Sequence, residues 1–380
     1  MTPLPTRPAV GRLIALVVIT TAAAVAAGGL AAHRQGPRAD SPLHATPLVG
    51  TLKATASPAP KTTPTGPLAL DVAKLPQGAD PRHSYRVERS VRGGAGQTLK
   101  VPGSAQIMDV ARLDDGLLAA TLPGNGDAEL LKLDSAGQVV RRTKRIYKVV
   151  GTPDGTAAVY AAEAPLVNHE MTYGGTLYLE RGGTVESVDL PAVRSISPLA
   201  YANGKVYYQA SVKGSESITR LYTWTPGDSA GVRVPKIPSA PTAISSDGQL
   251  VASRPLAEGG QCSTVVETAG AKNRFRTCDY AITGFTPDGA VAIGVPTYGK
   301  GCSNIVTALN ARTSAVLRQW SGCFEGTVAE DDNHLLLLAI VSGGQMAPTT
   351  KAAVVRCAID TGACERATQV LTAKYFGLAG

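Results

Sequence analysis

From residue 85 onward, short apolar runs alternate with tight polar turns, and the alternation itself repeats. Turn pairs stand at Asp115-Gly116, Asp154-Gly155, Asn203-Gly204, Asp247-Gly248, Asp288-Gly289 and Asp332-Asn333, at intervals of 39 to 49 residues. Asp-Gly and Asn-Gly favour two-residue hairpins, because both positions accept positive φ. Each pair precedes a strand-like run, such as Leu117-Leu118-Ala119-Ala120, Ala157-Ala158-Val159-Tyr160 or Leu335 to Ile340. Further apolar runs follow, among them Leu130-Leu131-Lys132-Leu133 and Leu221-Tyr222-Thr223-Trp224, before another polar turn and a fourth strand. Four short strands in about 40–45 residues is the spacing of a propeller blade.

Residues 82–380 number 299, room for seven units of about 43. The units begin near 106, 146, 193, 240, 281 and 324, and a last one near 369 lacks its outer strands. The runs Tyr85 to Val91 and Thr98 to Val101 can supply them, closing the ring between the chain ends and leaving no open sheet edge. The expectation is an all-β chain forming a β-propeller of seven blades, with six as the alternative. A pair of sandwich domains does not explain the period.

Leu13 to Ala32 is a run of 20 residues without a charge, preceded by Arg7 and Arg12. At about 1.5 Å per residue it can cross some 30 Å of hydrocarbon with the N terminus inside. It reads as a transmembrane anchor or, with the small residues around Gly29-Leu30-Ala31, as a cleaved signal peptide. Residues 33–80 are rich in Pro, Thr, Ala and Ser and read as a disordered linker. The expected organisation is a cytoplasmic tail over 1–12, the apolar segment over 13–32, the linker over 33–80 and the propeller over 81–380. The bulk is extracytoplasmic, membrane-attached if the segment is uncut and secreted if it is cut.

The formal charge is +8, but half of the excess lies in the first 80 residues. A nucleic-acid footprint clusters Lys and Arg on one face. The local run here, Arg141-Arg142-Thr143-Lys144-Arg145, reads as a solvated strand edge. Nucleic acid is therefore not an expected partner.

The repeated apolar strand, then Thr152-Pro153-Asp154-Gly155 or Thr286-Pro287-Asp288-Gly289, then a second strand, resembles the TolB/WD40-type propellers of exported bacterial proteins. The Ala/Gly-rich composition and the Pro/Thr tether resemble those of actinobacterial secreted proteins. No Trp-Asp dipeptide ends a unit, a departure from strict WD40 pattern. The resemblance implies a fold and is nearly silent on function.

The cysteines, Cys262, Cys278, Cys302, Cys323, Cys357 and Cys364, fall in the last three complete units. Each neighbouring pair brackets an expected third-to-fourth-strand hairpin, where opposed residues lie about 4.5–5.5 Å apart. The pairing predicted is Cys262–Cys278, Cys302–Cys323 and Cys357–Cys364, in keeping with export. No Cys-x-x-Cys or partnering histidine suggests a metal.

Beyond residue 80 the histidines are His83, His169 and His334, and no hydrolase, zinc-protease or phosphate-loop motif occurs. Asp114-Asp115 and Asp331-Asp332 lack calcium-loop spacing and read as turns. No cofactor or metal is expected. The longest second-to-third-strand loops are Glu163 to Gly175 and Ser342 to Lys351. They offer Asn168, His169, Tyr173 and Met346 on one face, with Arg254, Tyr298 and Lys300 from neighbouring loops, as a candidate binding face. The expected function is a monomeric, non-catalytic scaffold that binds a cell-envelope protein or small ligand. The alternative is an extracytoplasmic hydrolase or lactonase with its site in the central channel.

Overall fold

Leu117, Leu118, Ala119 and Ala120 are all fully buried, although successive strand residues point to opposite faces. Both faces are therefore covered. Leu117 and Ala119 pack with Val91 and Leu99 on one side, while Leu118 and Ala120 pack with Ile146 and Tyr160 on the other. The same division recurs at Leu335-Leu336-Leu337, whose members alternate between two clusters. This is why the second strand of each unit reads as a continuous apolar run.

The computed structural model describes residues 66–379 except 95, 125–126, 168–169, 256–258, 298–301, 344–348 and 373–374. The apolar segment Leu13 to Ala32 lies outside them, as does the linker up to residue 65. None of the described residues forms a helix long and apolar enough to cross a membrane.

The fold is an all-β propeller. Its strands fall into antiparallel four-stranded units, and units two to seven each run from an inner to an outer strand in chain order. Unit two is Gln106–Leu113, Gly116–Leu122, Glu129–Asp134 and Val139–Lys144, and the inner strands of units three to six are Ile146–Gly151, Val193–Ala202, Pro241–Ile244 and Tyr280–Phe285. The long strand Val316–Ala329 is shared. Up to Phe324 it pairs outward on Ser303–Asn310 as the last strand of unit six, and from Phe324 it pairs on His334–Ser342 as the first of unit seven.

Unit one joins the chain ends as expected. Phe376–Leu378 is its inner strand and pairs with Tyr85–Val87, followed by Ser90–Arg92 and Leu99–Lys100. Among the described residues, seven four-stranded units result, with a buried apolar cluster between each unit and the next. Tyr85, Leu336, Val354 and Ala367 make the cluster that joins unit seven back to unit one.

The turns qualify the sequence reading. Asn203 and Gly204 both take positive φ between the paired Ala202 and Lys205, a two-residue hairpin as expected. At 152–155, 245–248 and 286–289, however, Asp-Gly supplies only the last two residues of a four-residue turn. There the Gly amide donates back to the carbonyl of Thr152, Ser245 or Thr286 at 2.8–3.0 Å, and only the Gly has positive φ. The hydroxyl of that first residue accepts the amide five positions on, at 2.9–3.0 Å. The recurrent element is thus Ser/Thr-x-Asp-Gly, and the Asp carboxylate accepts the following amides.

A second difference concerns residues 66–80, assigned by composition to the linker. Leu68–Ala69 pairs in parallel with Trp320 and Ser321, Val72 enters the core of units six and seven, and Gln77 bridges to Arg366. This stretch is a strap on the ring, so the ordered domain begins no later than Leu68. Sparse apolar residues among prolines conceal it from composition.

All three expected disulfides are present, with Cα separations of 3.9, 5.3 and 4.2 Å. Each ties the third to the fourth strand of its own unit. They fit an oxidising, extracytoplasmic environment.

Candidate functional site

The inner strands border the channel of the propeller, and six of them share one irregularity near their start. The ladder to the second strand skips a position at Met108, at Tyr147-Lys148, at Ser195-Ile196, at Thr242, at Thr283 and at Glu325. A β-bulge leaves its extra residue unpaired and re-aims its side chain, which is why bulges gather at barrel rims and sites. Met108, Tyr147, Thr242 and Thr283 are exposed here, although Ile107, Ile146, Pro241 and Ile282, the paired residues just before them, are buried. The irregularities lie at the channel end reached by the connections from each preceding outer strand. The second-to-third-strand loops surround that same end.

Charge is unevenly distributed around this mouth. Unit seven contributes Glu325, unit one Arg86, unit two Asp109 and unit three Lys148, alternating in sign, whereas units four to six contribute Ser195, Thr242 and Thr283. Arg86 belongs to a second strand but reaches across the inner strand at Gly377, where an added Cβ would lie 3.3 Å from its Nη2. Its Nη1 donates to the Ile107 carbonyl of the next unit. The amide of Val149 donates to Asp109 Oδ2 at 3.3 Å, and Lys148 Nζ donates to the Pro198 carbonyl at 3.1 Å. Thr242 Oγ1 donates to the Ile282 carbonyl at 3.0 Å. Polar side chains thus stitch inner strands to their neighbours while remaining at the channel.

The electrostatics follow from enclosure. Burial pushes the Lys148 ammonium and the Arg86 guanidinium down from their usual values, and the Asp109 carboxylate opposes both shifts. Burial raises the Glu325 carboxyl, whose Oε1 has no hydrogen-bond partner among the described residues. The arrangement can offer a carboxyl, hydroxyls and a cation to a ligand in the same opening. No group of three or more His, Cys, Asp or Glu able to hold a metal occurs among the described residues.

Of the loop residues singled out by sequence, Asn168, His169, Tyr298, Lys300 and Met346 lie outside the described residues. Tyr173 belongs to the loop of unit three, where its hydroxyl donates to Glu216 on the loop of unit four. The Arg194 guanidinium stands 5.9 Å from its ring centroid. The hydrogen bond from Tyr173, reinforced by the Gly214 amide, pushes the exposed Glu216 carboxyl down to about 2. Arg254 instead turns into its own loop and donates through Nε to the Gly260 carbonyl at 2.9 Å. The structure therefore joins Tyr173 to a cluster and leaves Arg254 as a loop support.

Sequence reasoning missed Arg86, Asp109, Lys148, Thr242, Thr283 and Glu325. No motif marks them. The available signal was a polar residue interrupting an inner-strand run, as Asp109 interrupts Ile107 to Leu113.

No family model matches the chain, and no curated protein matches it by sequence. Solved structures do resemble it. An uncharacterized protein, lmo1340 from Listeria monocytogenes EGD-e, is 11% identical with a TM-score of 0.45, over 72% of this chain and 87% of that one. TolB from Acinetobacter baumannii is 14% identical with a TM-score of 0.42, over 73% and 67%. Prolyl oligopeptidase B from Galerina marginata is 10% identical with a TM-score of 0.49, over 77% of this chain and 52% of that one.

Proposed function

We propose that the chain is a seven-bladed, extracytoplasmic binding module, held in the cell envelope as a single copy and non-catalytic. Its partner, a cell-envelope protein or a small ligand, docks on the loop-bearing mouth of the channel. The observation that carries this reading is the set of inner-strand bulges at one level, which aims charged and hydroxyl side chains into one opening. Rigid scaffolds commonly present function on the loops around such an opening. In this reading residues 13–32 attach the module to the membrane or direct its secretion, and no nucleic acid is bound.

The test is site-specific photo-cross-linking in intact cells from position 173, beside the mouth, and from position 184, on the opposite face. One recurring adduct from 173 and none from 184 supports the reading. Adducts from 184 alone would place the interface elsewhere.

Glu325 favours a second reading, a channel enzyme in which this carboxyl donates a proton. A raised carboxyl in a cleft is suited to general-acid work. Ester or lactone hydrolysis abolished by Glu325→Gln, with folding intact, would establish it. An inactive wild-type protein across such a screen would dismiss it.

A further inference from the structure

On the face opposite the loops, the inner strands of units two and three end over a cavity of about 420 Å³, roofed by Gly94, Gly96 and Gln97 of unit one. Small-ligand sites fall in this size range, about 300–1,000 Å³. Arg112, in the inner strand of unit two, and Asp114, the first residue beyond its end, both belong to the lining.

Arg112, like Arg86, is enclosed with a backbone carbonyl as its hydrogen-bond partner. Arg356 and Arg141 meet carboxylates, but Arg112 makes no ion pair among the described residues, and its Nε is buried without a hydrogen-bond partner. Its one hydrogen bond runs from Nη2 to the Val91 carbonyl at 3.3 Å. Burial alone depresses its pKa. Gly94 and Gly96 lie against the guanidinium, and an added Cβ at Gly96 would fall 2.3 Å from Nη1. The roof is therefore cut to admit this side chain, yet supplies it no anion.

The second pole is acidic. Asp154, also in the lining, is occupied by the hydroxyl and amide of Thr156 at 2.8 and 3.1 Å. Asp114 is exposed at the opening and its carboxylate is not engaged in this way. His83, beside them, donates through Nε2 to the Ala379 carbonyl, 2.8 Å away, and burial pushes its pKa down.

We infer that this cavity is a second binding site, one for a small zwitterion of the α-amino-acid class. Arg112 takes the carboxylate through its guanidinium, Asp114 takes the ammonium, and the remaining volume holds a side chain. A simple anion would meet Asp114 unfavourably, and a simple cation would meet Arg112 unfavourably, so both poles are required of the ligand.

The experiment is isothermal titration of the full chain with the twenty L-amino acids, alongside acetate and methylammonium as single-pole probes. Expected is 1:1 binding of at least one amino acid, weakened about tenfold or more by Arg112→Lys and by Asp114→Asn, since each removes a charge-assisted or bidentate contact. Asp114→Asn alters an exposed turn and keeps the fold, which circular dichroism verifies. The inference is overturned if no amino acid binds, if acetate binds as tightly as every amino acid, or if the two variants bind unchanged. Failure of the channel-mouth interface leaves this result unaffected, because the two sites lie on opposite faces.

Discussion

Arg356 and Glu330 meet inside unit seven, with Nη2 2.8 Å from Oε1 and the Glu330 side chain wholly enclosed. The same Oε1 accepts the amide of Arg82 at 2.6 Å, while Arg356 donates to the carbonyls of Ala79 and Asp80 at 3.2 and 3.1 Å. One ion pair therefore fastens the end of the strap to the last unit. Burial pushes the Glu330 carboxyl up, but the bonds from Arg356 and the Arg82 amide outweigh it and hold the group below its usual value. A depressed folded-state value contributes stability that is complete above the unfolded-state value, about 4.3, and is lost as pH falls through the folded one. Thermal melts between pH 3 and 6 should show this loss in the wild type and a flatter profile in Glu330→Gln. At pH 7 that substitution, which leaves Arg356 with Glu365 as its remaining carboxylate, should cost about 2 kcal/mol.

A second enclosed network joins units two and three. Lys132 Nζ lies 2.5 Å from Asp115 and 3.3 Å from Glu180, and Arg141 reaches Glu180 from the outer strand. Lys132→Met should destabilise by about 3 kcal/mol, because a nearly inaccessible carboxylate loses a partner. Arg142→Ala, which removes the more exposed pair with Glu129, should change stability by about 0.5 kcal/mol or less. Chemical denaturation of the two variants tests the contrast.

The disulfides close chain segments of different length, with sequence separations of 21 for Cys302–Cys323 and 7 for Cys357–Cys364. Loop-closure entropy assigns about 3 kcal/mol to the longer and about 2 kcal/mol to the shorter. Replacing each pair by serines should reproduce that order in equilibrium unfolding. Non-reducing peptide mapping should recover the three pairings.

At the loop face, a carbon-detected NMR titration should find Glu216 titrating near 2. Tyr173→Phe removes the leading cause of that shift, and Glu216 should then move up toward the usual carboxylate range. An unchanged value would mean that the two loops do not meet through this bond.

The period, the closure of the ring and the disulfides were legible because each depends on strand spacing alone. Cys357 and Cys364 are directly opposed in the ladder, so a hairpin turn midway between them implied their bond. The channel mouth was not legible, since a bulge such as that at Glu325 depends on pairing with a partner strand and leaves no mark in the order of residues. The strap was hidden for a related reason. Val72 is buried by units that lie more than 200 residues later in the chain, and no local composition reports that. Arg254 is a candidate by residue type, and what the order of residues does not reveal is that its Nε donates to the Gly260 carbonyl of its own loop.

The pairing of Tyr85 with Leu378 also imposes an order of events on assembly. Three strands of unit one are among the first of the domain to be made, and the fourth is among the last. At about 5–20 residues per second of synthesis, the early strands wait some 15 to 60 seconds for their inner partner. During that interval Tyr85 and Val91 have no complete unit to enter, and the arc of later units has two raw ends. Final closure therefore waits for residues 376–378 to reach the early strands. A chain shortened by even a few residues at its C terminus should remain an open arc, competent in its individual units but permanently prone to joining another copy.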